Sequence, residues 1–151
     1  MKRVNAYRKL FEVNEETTLK QLKTTYRELV KKWHPDKFPQ GHELAEEAEA
    51  KSLEIIDAYH FLVSIAPETK EATLAEYIES TESGIDDFHH KGLLMEITFM
   101  NGCTYEYFGV NKNVFQKFIN SDKLNRFGKR NIFNSYLYRK SKKQEQEATQ
   151  N

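Results

Sequence analysis

The chain has 151 residues, of which 23 are Lys or Arg and 23 are Asp or Glu, so its formal net charge is zero. This length suits one ordinary domain or two small ones, and the sequence has neither an apolar run long enough to span a membrane nor an apolar leader at its start. A single cysteine excludes an intramolecular disulfide and the disulfide-rich secreted class, so we expect a cytoplasmic protein.

A basic amphipathic helix is predicted from Thr18 onward, because Thr18 and Gln21 have the spacing of a capping box. Apolar and basic residues then recur at helical spacing and form two stripes, side by side. The apolar stripe consists of Leu22, Tyr26, Leu29, Val30 and Trp33, and the basic stripe of Lys20, Lys23, Arg27 and Lys31. Since Pro35 disfavours the helical conformation at the residue before it, we expect His34 to be the last helical residue.

The tripeptide His34-Pro35-Asp36 precedes a loop over residues 37–41. A second long helix is predicted between Gly41 and Pro67, and two such helices with a short connection pack antiparallel. The tripeptide is therefore expected at the exposed tip of a helical hairpin. Taken alone, Pro35 could simply end a helix and Asp36 could be a solvated loop charge.

Residues 6 to 65 resemble the J-domain of the DnaJ co-chaperone family. The matching residues are Tyr7, Leu10, Phe11 and Val13 in a short first helix, Leu22, Tyr26 and Arg27 in the second, and Ile55, Ala58 and Tyr59 in the third. The resemblance implies that the domain docks on a 70-kDa heat-shock (DnaK-type) chaperone and stimulates its ATP hydrolysis. It also implies that the His-Pro-Asp loop is indispensable for this stimulation and that the basic face of the second helix contacts an acidic surface of the chaperone.

The residues assigned to chaperone binding are His34, Pro35, Asp36, Lys20, Lys23, Arg27, Lys31 and Lys32. The competing interpretation of the lysines is a solvated helix face. Neither His34 nor Asp36 needs to perform chemistry, because the ATPase site belongs to the other protein, so we expect a protein that is not an enzyme.

Three features depart from the family pattern. Glu12 stands where the family commonly has Gly, and Ser52 occupies an inward position that a large apolar residue usually takes. We expect the bulk of Leu53 and Trp33 to compensate for Ser52. The usual basic fourth helix is replaced by a short acidic helix over residues 67–77.

The composition changes at residues 80–84, which are predicted to be a linker. Before Gly84 the chain has twelve Lys or Arg and sixteen Asp or Glu, whereas after it there are eleven and seven. The predicted organisation is an all-α J-domain over residues 1–80, with an antiparallel helical hairpin and short flanking helices, then a small α+β domain over 84–140. A disordered tail is predicted over 141–151.

The second domain is predicted to contain a β-hairpin and a helix. Alternation over 93–100 and 103–108 indicates two strands, joined by a turn at Asn101-Gly102. With a two-residue turn, Tyr105 lies opposite Thr98 and Tyr107 opposite Glu96. A short amphipathic helix follows over 114–119, and the secondary structure of residues 132–138 stays open.

This second domain resembles the KTSC domain, a module named for the C-terminus of some lysyl-tRNA synthetases. The matching features are the Asn101-Gly102 turn, Tyr105-Glu106-Tyr107, Gly109-Val110 and the stretch 121–134. Asn111 replaces a frequent Pro and can cap the helix that follows. The resemblance implies only a suspected role in RNA binding.

An RNA site can be built from aromatic and basic side chains of this domain. Tyr105 and Tyr107 would stack on unpaired bases if the sheet exposes them, and cations would contact phosphates. The residues assigned to RNA binding are Tyr105, Tyr107, Lys123, Arg126, Lys129 and Arg130. The competing interpretation places both tyrosines in the core, and Glu96 and Glu106 count against a strongly anionic ligand on the hairpin.

We expect no cofactor and no metal, because His89 and His90 have no supporting ligands at a suitable spacing and are predicted to be a solvated loop pair. The favoured function is a co-chaperone whose second module serves as a client or RNA adaptor. The alternative is an RNA-binding adaptor in which the J-like domain is only a protein-docking scaffold. The client, the RNA and the oligomeric state stay open.

Overall fold

The computed structural model describes residues 1–141. These divide into a helical unit, Lys2–Glu71, and a second unit that runs from Ala72 onward and contains a sheet. The predicted fold class, a helical region followed by a small α+β region, is confirmed. The predicted tail, residues 141–151, lies outside the described residues except for Ser141, whose N–H donates to the Thr104 carbonyl at 2.8 Å.

The helical unit consists of α1 (Lys2–Phe11), α2 (Leu19–Trp33), a 3₁₀ turn (Pro35–Lys37), α3 (Ala45–Ile65) and α4 (Pro67–Ala72), which ends at the boundary. The predicted capping box at Thr18 and Gln21 is confirmed, with both reciprocal hydrogen bonds present. Tyr26 stacks on Tyr59 at 4.2 Å. Near the other end of the α2–α3 pair, the Ser52 hydroxyl donates to the Trp33 carbonyl. The two helices therefore run antiparallel.

Glu12 lies in the left-handed region, with φ +54°. Its N–H donates to the Lys9 carbonyl, and the N–H of Val13 donates to that of Arg8. These two bonds form a Schellman motif, in which the left-handed position at the end of a helix favours glycine. The helical unit therefore keeps the backbone that a glycine would adopt, although Glu12 carries a side chain.

The second unit consists of α5 (Leu74–Ser83), β1 (Ile85–Lys91), β2 (Leu94–Phe99), β3 (Thr104–Phe108), α6 (Lys112–Ile119), α7 (Leu124–Asn131) and β4 (Leu137–Lys140). The four strands form one antiparallel sheet in the order β1-β2-β3-β4. Asn111 caps α6 by accepting the N–H of Val114 at 2.9 Å, as predicted.

The predicted linker is the last turn of α5, which packs with the sheet. Tyr77 of α5 is buried and stacks on Tyr138 of β4 at 3.8 Å. Glu76 forms an ion pair with Lys140, which lowers the pKa of Glu76 and raises that of Lys140. Because α5 supplies a core residue, the compact second unit begins well before the predicted start at residue 84.

The register of the central hairpin differs from the prediction by one residue. Tyr105 pairs with Ile97 and Tyr107 with Met95, because the loop has three residues: Phe99 and Cys103 are bonded across it, and Gly102 has φ +91°. A shift of one residue moves every side chain to the opposite face of a strand. The predicted pairing of the tyrosines with Thr98 and Glu96 is therefore wrong.

Candidate functional site

Helix α2 ends one residue earlier than predicted, at Trp33. His34 is extended, with φ −59° and ψ 134°, the conformation that a following proline favours. Pro35 then opens the 3₁₀ turn, where the N–H of Lys37 donates to the His34 carbonyl and that of Phe38 to the Pro35 carbonyl, each at 3.0 Å. The tripeptide is thus held in a tight, hydrogen-bonded turn at the end of the hairpin.

Asp36 is free to accept a hydrogen bond from another molecule. Its side chain is 91% exposed, and its backbone N–H donates to Nδ1 of His34 at 3.1 Å. Because Nδ1 accepts that N–H, it carries no proton that it could donate to the Asp36 carboxylate, 3.4 Å away. The imidazole therefore fixes the backbone of the turn and leaves the carboxylate to solvent.

Ser52 links α3 to the tip. Its hydroxyl donates to the Trp33 carbonyl at 2.9 Å, one of the carbonyls at a helix end that have no partner within the helix. Leu53 is 60% exposed, so the expectation that its bulk compensates for the small Ser52 is wrong. Trp33 stacks instead on Phe38 of the loop, at 5.9 Å.

The basic stripe of α2 is exposed along its whole length. No side chain of the stripe forms an ion pair with another described residue. The structure thus brings the predicted chaperone-binding residues together on one helix and the turn that ends it. These residues are Lys20, Lys23, Arg27, Lys31, Lys32, His34, Pro35 and Asp36, and all of them are exposed.

In the second unit, the structure does not bring the predicted RNA-binding residues together. Tyr105 and Tyr107 are 3% and 0% exposed, and burial raises the pKa of each. The Tyr77 hydroxyl donates to the Phe133 carbonyl at 2.6 Å. Because its proton is used there, the Tyr107 hydroxyl, 2.9 Å away, donates to the Tyr77 oxygen. Both predicted rings belong to the core, where bases cannot stack on them, so that part of the RNA hypothesis is wrong.

The four predicted cations, by contrast, lie around one groove of about 830 Å³. Lys123, Arg126, Lys129 and Arg130 come from α7 and the residue before it, and all four are exposed. Asn125 Oδ1 accepts the N–H of Ile85 at 3.0 Å, which fixes α7 against β1. The groove is the second candidate site of the molecule.

One buried ion pair was not predicted. Arg139 of β4 donates to Glu106 of β3 at 3.1 and 3.5 Å, and the two residues are 7% and 6% exposed. Glu106, one of the two carboxylates that counted against an anionic ligand, is therefore neutralised inside the protein. A pairing between strands distant in sequence left no local signal that could have revealed it.

The two histidines lie on β1, not in a loop as predicted. His90 Nε2 donates to the Val110 carbonyl at 2.7 Å, and its ring stacks on Phe115 at 4.6 Å. His90 therefore joins β1 to the start of α6.

Among residues 1–141, no group of three or more His, Cys, Asp or Glu could hold a metal ion.

Comparisons with known proteins match each unit separately. A family model for the DnaJ domain matches residues 5–72, and a model for the KTSC domain matches residues 81–136. The chaperone protein DnaJ of Thermoplasma acidophilum is 43% identical over 56 residues, which cover 37% of this chain and 14% of that protein. The chain thus shares only a small part of that relative's length. None of the described helices combines the length and the hydropathy that a membrane-spanning helix requires.

Proposed function

Because this chain carries a DnaJ domain over residues 5–72 and a KTSC domain over residues 81–136, we propose that it is a co-chaperone that docks on a DnaK-type chaperone and stimulates its ATP hydrolysis. The observation that carries the proposal is the exposed Asp36 carboxylate at the end of a basic helix whose cations form no ion pair with another described residue. The chain itself performs no catalysis, and it works in the cytoplasm.

The basic face of α2 brings the partner to the tip. Five cations on one helix produce a field that raises the rate of encounter with an acidic surface and orients it. Such exposed charges contribute more to association than to the lifetime of the complex, and salt screens them over about 8–10 Å. The basic stripe thus determines the rate of association, and the turn at its end determines the lifetime of the complex.

Asp36 supplies the specific contact. An ionised carboxylate accepts a bidentate hydrogen bond from an arginine, and such charge-assisted bonds are about twice as strong as neutral ones. The hydrogen-bonded turn holds the Asp36 backbone in place before the partner binds. Little conformational freedom is therefore lost on docking.

Association kinetics on an immobilised DnaK-type chaperone test this proposal. Replacing Lys23 and Arg27 by Glu should slow association at low salt, and the difference from wild type should shrink as salt is raised. The matched control makes the same charge change at Lys112 and Lys117 of α6 and should associate as wild type does. Equal slowing by both pairs, or no binding by the wild type, contradicts the proposal.

The second unit serves as an adaptor, which binds the protein client or the RNA to which the chaperone is recruited. The different-class alternative is an RNA-binding adaptor whose helical unit only docks proteins, and the four cations around one groove favour it. A pull-down from lysate with and without ribonuclease separates the two functions. Chaperone retained in both conditions supports the co-chaperone, whereas partners that are all lost with ribonuclease support the alternative.

A further inference from the structure

The groove of the second unit presents cations that nothing in the described chain neutralises. Lys123, Arg126, Lys129 and Arg130 line it, and none of the described residues that line it is acidic. None of the four cations forms an ion pair within residues 1–141. Unpaired charges of one sign in a concave site concentrate the field. The groove is therefore complementary to an anionic ligand.

The floor of the groove is aliphatic. Met100, in the loop between β2 and β3, is 65% exposed there, and Ile85 and Leu124 are partly buried beside it. Methionine is flexible and polarisable, and it is frequent on surfaces that accept several apolar partners. A ligand that fills this groove needs an aliphatic group as well as negative charge.

The walls of the groove are held in place before any ligand arrives. The hydrogen bond from Ile85 to Asn125 joins β1 to α7. Gly84 has φ +104°, and a Cβ at this position would lie 3.3 Å from the side chain of Asn125 and 3.4 Å from that of Met100. A preformed site of this kind loses little ordering entropy on binding.

The spacing of the cations matches an extended polypeptide. Arg126 and Arg130 lie one turn apart on α7, about 6 Å along the helix axis. Side chains on the same side of an extended chain repeat at roughly 6.6 Å. Two carboxylates separated by one residue can therefore each meet one guanidinium, in the bidentate geometry that arginine favours.

We propose that this groove binds an extended acidic segment of a protein, whose alternate carboxylates lie on α7 and whose aliphatic side chain packs on Met100. The inference deepens the proposed function, since it assigns the client side of the adaptor to this site. An RNA strand fits less well, because unpaired bases are usually held on aromatic rings, and none of the described residues that line the groove is aromatic.

Fluorescence anisotropy with the full chain tests the ligand class. The probes are a labelled peptide in which Glu alternates with other residues around a central Leu, the same peptide with Ser in place of Leu, and a single-stranded RNA of mixed sequence. The Leu peptide should bind in a salt-dependent manner and the Ser peptide about tenfold more weakly, because its buried aliphatic group is lost. Tighter binding of the RNA than of the Leu peptide, or equal binding of the two peptides, overturns the proposal.

Substitutions then test the site. Arg126→Gln with Arg130→Gln should lower peptide affinity at least about tenfold. Lys112→Gln with Lys117→Gln removes the same charge outside the groove lining and should leave affinity within about twofold. Met100→Ser keeps every charge and should weaken only the Leu peptide, which decides the matter if the arginine variant is poorly folded. Equal losses in both double variants, or none in Met100→Ser, contradict the site.

The same variants separate this inference from the proposed function. The groove variants should stimulate the DnaK-type chaperone's ATPase as the wild type does, since their substitutions lie outside the helical unit. Peptide binding without ATPase stimulation by the wild type would uphold the groove and overturn the co-chaperone. Stimulation without peptide binding would do the reverse.

Discussion

The two units use positive charge in different ways. On α2 the cations lie along an exposed helix face that ends at a single exposed carboxylate, Asp36. Around α7 the cations enclose a groove with an aliphatic floor, above a core in which the tyrosines are buried. The first arrangement can orient a large partner without enclosing any part of it, whereas the second can surround a segment of chain.

Each site therefore depends on a different kind of structural support. The tip depends on two hydrogen bonds within the helical unit, from the Asp36 N–H to His34 Nδ1 and from the Ser52 hydroxyl to the Trp33 carbonyl. The groove needs the whole second unit, since its walls come from α7, β1 and the loop that follows β2. Substitutions in the core of the second unit should therefore disturb the groove strongly and the tip weakly.

Removing α5 from the second unit should have the largest effect. A fragment of residues 84–151 lacks Tyr77, which fills the core and bonds to Tyr107 and Phe133, and loss of a buried aromatic side chain costs about 3–5 kcal/mol. A small domain has little more stability than that, so this fragment should show no cooperative thermal transition. Residues 72–151 should unfold cooperatively. A cooperative transition of equal midpoint in both fragments would show that α5 is dispensable.

Tyr77→Phe makes a smaller change at the same place. It keeps the ring but leaves the Tyr107 hydroxyl and the Phe133 carbonyl without their partner, at a cost of about 1–3 kcal/mol. Tyr136→Phe is the matched control, because Tyr136 is only partly buried. Urea unfolding of the full chain should show the loss in the second unit and leave ATPase stimulation intact. Similar losses in both variants would mean that the hydroxyl network contributes nothing particular.

Ser52→Ala should weaken the tip and leave the groove unchanged. The Trp33 carbonyl loses its donor, which costs about 1 kcal/mol and frees the end of α2 from α3. Maximal ATPase stimulation should fall while the salt dependence of association stays as in wild type. Ser64→Ala is the control, since that hydroxyl bonds within its own helix, to Phe61. Unchanged stimulation by Ser52→Ala would separate this hydrogen bond from function.

Glu12→Gly should have the smallest effect and should stabilise the helical unit. A residue with a Cβ costs about 1–2 kcal/mol in the left-handed region, and the greater freedom of glycine in the unfolded chain offsets part of this gain. The thermal midpoint of the helical unit should rise slightly, with no change at the tip or the groove. A lower midpoint would indicate that the Glu12 side chain contributes a stabilising contact.

Local signals made the helical unit predictable. The capping box at Thr18, the proline at residue 35 and the apolar periodicity of α2 each act over a few residues, so the sequence carries them directly. The Ser52 hydrogen bond joins residues 19 positions apart and has no local pattern. It forms only because α2 and α3 pack against each other.

The second unit was less predictable because its register depends on one turn. Asn101-Gly102 correctly indicated a turn, but Met100 also belongs to the loop, and this one residue decided which face the tyrosines occupy. Strand β1 was missed because His89, His90 and two aspartates obscure its alternation. The cations of the groove were identified from charge alone, whereas its aliphatic floor joins segments that are far apart in sequence.

Single-turnover ATP hydrolysis by the DnaK-type chaperone, with Asp36→Asn and wild type compared, tests the central claim most directly. The substitution removes a charge from an exposed side chain, so stability should change by less than about 0.5 kcal/mol. Loss of a desolvated, charge-assisted contact costs about 2 kcal/mol or more, so stimulation should collapse. Asp57→Asn, an equivalent change at an exposed position of α3, should stimulate as wild type does. Equal stimulation by wild type and Asp36→Asn, or none by the wild type, would contradict the account.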